Sequence, residues 1–337
     1  MNPILLARHV QDSLRELVHT TLNTTSHAFE GTVDRFIAEP GNFMKGPWIS
    51  VDMPFRQIEG AADGSWTQPF PEVPLRFAPY QHQTDAFARL SGEIMRSTLI
   101  ATGTGSGKTE SYLWPILDHC RRNKGKPGIK AILIYPMNAL ATDQARRIAA
   151  AISEIPSLNG VRAGIYADAE PQNPAHQVTK DSVITHRDTM RKNPPDILLT
   201  NYKMLDYLLL RGRDKTLWAQ NDPETLRFLV VDEMHTFDGA QGADLALLLR
   251  RVKYRLNTPE SHLICVGSSA TLGSSEDAAT ELRSYAETIF GEPFDAGAVV
   301  RETRKTPNDV FGDPEYLDRP DPADSRSPTV VVRRPGR

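Results

Sequence analysis

Chemistry is written most densely in Gly103-Thr104-Gly105-Ser106-Gly107-Lys108-Thr109. Alternating glycines let a backbone curl until successive N–H groups converge on one point, an arrangement that suits phosphate oxygens. Lys108 stands where it reaches β- and γ-phosphates, and Thr109 where it offers a hydroxyl to Mg2+. A helix starting near Lys108 adds its positive N-terminal end. The strict spacing G-x-x-x-x-G-K-[ST] has its first glycine where this chain carries Thr102. The glycine-rich core makes up for that departure.

Two further stretches belong to the same chemistry. Phe228–Val231 reads as a buried strand that delivers Asp232 and Glu233 at its C-terminal end. There a carboxylate can hold Mg2+, directly or through water, while its neighbour polarises an attacking water. Asp232 is assigned to the metal and Glu233 to the general base. After another apolar run comes VGSSATLG, in which Ser269, Ala270 and Thr271 follow a strand end. Small hydroxyl residues here can link the acidic site to a neighbouring surface by hydrogen bonds, or form a plain Ser/Gly turn.

These residues need a scaffold that gathers strand ends. The candidate strands are Thr98–Ala101, Ala131–Tyr135, Val161–Tyr166, Asp196–Thr200, Arg227–Val231 and Leu263–Gly267, and most are apolar without alternation, as in strands covered on both faces. Helical stretches fall between several of them, around 82–95, 108–122, 138–153, 202–210 and 240–256. Pro115 is expected to kink or shorten the second of these. A β-α series of this kind predicts an α/β fold with a mostly parallel sheet covered by helices on both faces. Residues 1–76 read as an extension, first a helix with Leu5, Val10, Leu14 and Val18 on a rough stripe, then Gly/Pro-rich loops. The α/β lobe is expected over 77–305. Residues 167–195 form a long polar connection or small insertion. Residues 306–337, rich in Pro, Asp, Arg and Ser, read as a disordered tail or an interlobe linker cut short.

GTGSGKT, DEMH and SAT in this order resemble motifs I, II and III of the superfamily 2 DEAD/DEAH-box helicases. The resemblance implies a RecA-like lobe binding ATP with Mg2+. It extends to FAPYQHQTDAF, similar to the glutamine motif, which would set Gln83 to read the adenine edge with Phe77 or Tyr80 near the base. YPMNALATDQARR and LLTNYKMLDYLLLR resemble motifs that line the nucleic-acid track, implying Asn138, Thr200 and Asn201 near backbone phosphates. Arg146 and Arg147 either add charge there or lie on a solvated helix face. NFMKGPWISVDMPF, DEMHTFDGAQGADLALLLRR and FGEPFDAGAVVRETR are similar to bacterial DNA helicases of repair and phage defence. That branch often adds a second motor lobe and a C-terminal four-cysteine domain, and its resemblance favours DNA over RNA as partner.

Composition narrows the rest. Net charge is −3, so no global basic field marks a nucleic-acid binder, and such contacts must be local. Cys120 and Cys265 are far apart, which gives no metal signature and suggests core thiols in a reducing compartment. No membrane span or signal peptide is read, so a cytoplasmic location is expected. After Thr271 there is no Q-x-x-G-R-x-G-R-like arginine pair and no four-cysteine cluster. The expectation is therefore one helicase lobe, completed by a separately encoded second lobe or left weak by truncation. The alternative is a nucleotide-gated nucleic-acid-binding or regulatory subunit that does not unwind.

Overall fold

The computed structural model describes residues 3–22, 26–39, 41–43, 52–167, 169–270 and 276–312. The chain divides between Met53 and Pro54. The first unit contains helices α1 (Pro3–Thr21) and α2 (Thr32–Ala38). His19 of α1 pairs with Asp34 of α2 at 2.5 Å, and Ile37 is buried within this unit. Leu5, Val10 and Leu14, the expected stripe, remain exposed along α1.

The second unit runs in chain order α3 (Gln81–Leu90), β1 (Thr98–Ala101), α4 (Lys108–Arg122), β2 (Ala131–Tyr135), α5 (Asn138–Glu154) and β3 (Ala163–Tyr166). It continues through α6 (Arg187–Lys192), β4 (Ile197–Asn201), α7 (Tyr202–Leu210), α8 (Lys215–Trp218), β5 (Phe228–Val231) and α9 (Gly239–Leu256). The last elements are β6 (Ile264–Ser269), α10 (Glu276–Phe290), β7 (Val299–Arg301) and α11 (Pro307–Phe311). The strands form one seven-stranded sheet in the order β3-β4-β2-β5-β6-β1-β7, and every pairing is parallel.

Strands β1 to β6 are buried along their whole length, which explains why they carry Ile, Leu and Val on both faces. Successive side chains of a strand point to opposite faces. Accordingly Ile132, Ile134, Leu229 and Val231 enter one core layer, while Leu133, Val230, Ile264 and Val266 enter the other. Leu245, Leu248, Leu249 and Val252 of α9 are buried in the first layer, a helical stripe facing the sheet. Cys120 and Cys265 are free, buried thiols.

Four expectations change. The boundary does not fall at residue 76, because Phe70, Val73 and Leu75 pack into the second layer with Phe87 and Ile116. Apolar residues in a Gly/Pro-rich loop carry no periodic signal. Pro115 does not shorten α4, which continues to Arg122. Strand β7 and helix α10 were not among the expected elements. Finally, residues 306–312 are ordered rather than a loose tail: Thr306 and Asp309 form a capping box on α11, and Asp309 pairs with Arg56 at 3.0 Å. The remaining tail, 313–337, lies outside the described residues.

Candidate active site

The phosphate loop connects β1 to α4. Gly105 and Gly107 both sit at φ +77°, in the left-handed region that glycine enters without cost. A Cβ on Gly107 would run into the amide of Gln83, so this position also needs glycine for space. The first turn of α4 then presents the unpaired N–H groups that every helix start leaves.

His82 and Glu302, both missed in the sequence, hold the loop from outside, and Thr102 braces it from its own start. His82, fully buried on α3, places Nε2 2.9 Å from the Ser106 carbonyl. Burial lowers its pKa, and because a carbonyl only accepts, this contact requires a proton on Nε2. Thr102, the residue at the departed glycine position, shares a hydrogen bond of 2.7 Å with the Ser106 hydroxyl. From beyond β7, the Glu302 carboxylate accepts the Gly103 N–H at 2.5 Å and the Arg304 Nε–H at 2.6 Å. The contacts of His82 and Glu302 with the loop span 24 and 199 residues and leave no local pattern to read.

Strand β5 lies two places from β1, with β6 between them. Its end brings the acidic pair to the loop: Lys108 Nζ donates to Glu233 Oε1 at 3.0 Å and lies 3.4 Å from the Ser269 carbonyl. Glu233 adopts φ 47°, ψ 49°. That left-handed backbone is uncommon for a residue with a side chain and recurs at functional sites. Asp232 is buried, and burial pushes its carboxyl above the ordinary range. The Ser268 hydroxyl and Lys108 counter that shift, and Glu233 adds to it.

Ser268, not Ser269, touches the acidic pair directly. Its hydroxyl donates to Asp232 Oδ1 and accepts the Glu233 N–H at 3.0 Å. The two serines are adjacent on β6, so strand alternation puts only one of them on the sheet face from which it meets Asp232. Ser269 and Ala270 meet His235 instead, at 3.4 Å from Nδ1 in each case, and that nitrogen is 3.5 Å from Glu233 Oε2. Thr271 lies outside the described residues.

The cleft in front of the loop has a volume of about 520 Å³. Thr104, Lys108, Thr109 and Glu233 line one part of it, and Phe77, Tyr80, Gln83, Glu110 and Arg147 line another. Gln83 is almost fully buried: its Oε1 accepts the Tyr80 N–H at 2.9 Å and its Nε2 donates to the Gly107 carbonyl at 3.1 Å. Its amide thus braces the loop, and only one N–H and one lone pair remain for a ligand. Arg147 faces this cleft and pairs with Glu110, whereas Arg146 lines a separate cavity against Glu170 and Arg187.

Asn138 and Asn201 come together at the ends of β2 and β4, where Asn201 Nδ2 donates to Asn138 Oδ1 at 2.6 Å. Asn201 also caps α7 by accepting the Met204 N–H. Thr200 stands beside Asn201 in β4. It is buried, and its hydroxyl donates to the Tyr166 carbonyl at 2.9 Å.

The donor set fits a magnesium nucleotide. Thr109 and Asp232 carry hard oxygen atoms that would suit Mg2+, whose sites of this kind use one or two carboxylates with phosphates and water completing the shell. Among the described residues no group of three or more His, Cys, Asp or Glu is disposed to hold a metal alone. Among them, too, no helix is long and apolar enough to cross a membrane.

Comparison with known proteins agrees in kind. Residues 80–279 match the DEAD/DEAH box helicase family model. Druantia protein DruE of Escherichia coli is 30% identical, in a match covering 59% of this chain and 16% of that protein. The Lhr helicase/probable uracil glycosylase of Mycolicibacterium smegmatis is 32% identical across 63% of this chain and 13% of its own length. The chain thus spans less than a fifth of either relative. The helicase MrfA, solved with DNA and AMPPNP, aligns with a TM-score of 0.52 at 22% identity, covering 74% of this chain and 30% of that one. Mss116p, solved with ssRNA and AMP-PNP, aligns with a TM-score of 0.53 at 14% identity, covering 73% of this chain and 45% of that one. At these identities the structural likeness shows the RecA-like fold.

Proposed function

Because this chain belongs to the DEAD/DEAH box helicase family, we propose that it forms the first, ATP-binding lobe of an ATP-dependent DNA helicase or translocase. The observation that carries this reading is the convergence of Lys108, Asp232, Glu233 and Ser268 at the ends of β1, β5 and β6. Ligands of open α/β sheets bind at the carboxyl ends of the strands.

In the proposed mechanism the loop from Gly103 to Thr109 cradles the phosphates, and Lys108 pairs with the β- and γ-phosphates. Thr109 and Asp232 hold Mg2+, which when bound neutralises phosphate charge. Lys108 is engaged with Glu233. Phosphate oxygens compete for that ammonium and free the Glu233 carboxylate to orient the attacking water. His235, between Glu233 and the Ser269–Ala270 backbone, connects the acidic site to the end of β6. Asn138 and Asn201 are proposed to meet the nucleic-acid backbone. The preference for DNA is supported by the likeness to MrfA, which was solved on DNA.

A second lobe, carried by the same polypeptide or by another, is proposed to supply arginine to the transferred phosphoryl group. Such an arginine is worth about 10³–10⁵ in rate, so these 337 residues by themselves bind ATP yet hydrolyse it slowly and unwind nothing. ATP turnover measured with and without single-stranded DNA, and again with single-stranded RNA, tests the reading. Slow turnover that DNA raises more than RNA is expected, and strong unwinding by this chain alone would overturn it.

A further inference from the structure

Strands β1 and β7 end together, with Ala101 paired to Arg301, so the phosphate loop and the segment leaving β7 start side by side. Glu302 uses that position. Its carboxylate is 13% exposed, accepting the Gly103 N–H at 2.5 Å on one oxygen and the Arg304 Nε–H at 2.6 Å on the other. Hydrogen bonds to an ionised acceptor are about twice as strong as neutral ones. The grip matters because a glycine-rich loop loses more conformational freedom on ordering than other sequences. A loop already fixed at its first glycine has less freedom to lose when phosphates arrive.

The segment that carries Glu302 is itself held along its length. Arg304 lies over the Phe55 ring at 4.5 Å, and the chain around Phe55 runs antiparallel to the chain around Arg304. The Arg56 N–H donates to the Thr303 carbonyl at 2.7 Å, and the Lys305 N–H to the Pro54 carbonyl at 2.9 Å. The Arg56 side chain then pairs with Asp309 in the first turn of α11. Glu302 is therefore the point at which this two-stranded strap touches the phosphate loop.

We infer that Glu302 is a positioning residue of the phosphate site: it sets the start of the loop for phosphate, and through it an occupied loop tightens the strap formed by 54–56 and 303–305. The effect runs both ways, because coupling between two equilibria is reciprocal. This rests on the nucleotide-binding reading above.

The test uses the full chain with inorganic tripolyphosphate and Mg2+. Equilibrium binding is measured beside hydrogen exchange at the Arg56 and Lys305 amides, the latter with each protein saturated. Wild type is expected to bind, and saturation should slow exchange at both amides by up to about tenfold. Glu302→Ala should bind about tenfold more weakly, the scale of one hydrogen bond to a charged group. Its two amides should no longer respond. Glu302→Gln keeps an acceptor of the same reach and should recover most of both effects. Glu302→Asp, one methylene shorter, should behave like Glu302→Ala, and it takes that place if the alanine variant fails to fold. Unchanged affinity in Glu302→Ala overturns the proposal. So does weakened binding with the exchange response intact, which would confine Glu302 to the loop. Glu302→Gln as weak as Glu302→Ala also overturns it, since charge rather than the contact would then decide. If wild type does not bind tripolyphosphate, the nucleotide-site reading itself has failed.

Discussion

The ammonium of Lys108 lies 3.0 Å from the carboxylate of Glu233, joining the start of α4 to the end of β5 across the mouth of the cleft. Both side chains are mostly shielded from solvent. The two groups proposed for phosphate binding and for base catalysis therefore pair with each other. In the proposed mechanism this pair couples binding to chemistry: a phosphate that recruits Lys108 would also release Glu233.

Replacement of Glu233 separates those two functions. Glu233→Gln is expected to lower ATP hydrolysis by about 10²–10⁴, the usual contribution of a positioned general base. ATP affinity should hold or rise, because Lys108 no longer has a carboxylate partner. Single-turnover hydrolysis measured beside equilibrium binding checks both halves. Equal losses in the two would mean that Glu233 serves the loop and not the water.

Ser268 carries the link between the acidic pair and β6, and Ser268→Ala removes it. Asp232 then loses its hydroxyl donor and the Glu233 N–H loses its acceptor. Leaving such groups unsatisfied costs roughly 1–3 kcal/mol. Urea denaturation should show a destabilisation of that order, whereas Ser269→Ala should change stability little. The opposite ranking would return the linking role to Ser269.

Glu302 gives stability a dependence on acid pH. Burial raises its carboxyl, but the Gly103 N–H and Arg304 outweigh burial and hold it below the usual carboxylate range. A lowered native pKa means that the contribution is complete above the unfolded value, about 4.3, and fades as pH falls through the native one. Wild type should therefore exceed Glu302→Gln in stability at pH 6, and the gap should close on acidification. A gap that persists unchanged in acid would show that the charge of Glu302 contributes nothing.

What was legible in the sequence follows from locality. Strands β1, β2 and β5 are apolar runs ended by turn residues, and helices α4 and α7 begin beside motif residues, so their positions could be read directly. Strand β7 is only three residues long at the sheet edge and gives no run to detect. Contacts were harder than elements. GSSA holds two serines, and only the direction of β6 decides that Ser268 meets Asp232. Thr200 sits in a motif, yet its hydroxyl turns to the Tyr166 carbonyl. Arg147 is one of two adjacent arginines on α5, and helix rotation sends it to the nucleotide cleft and Arg146 elsewhere. Gln83 was noticed for its type, but its bonds to Tyr80 and Gly107 depend on how α3 packs beside the loop.

The most direct measurement is the affinity for Mg-ATP of the full chain and of Lys108→Ala. Loss of a hydrogen bond to a charged group costs about 1.5–3 kcal/mol, or roughly 10–150-fold in Kd. The account predicts measurable ATP binding by wild type and a loss of at least that lower size in the variant. Equal affinity in the two proteins would contradict a phosphate site built around Lys108, and with it the ATP-binding lobe.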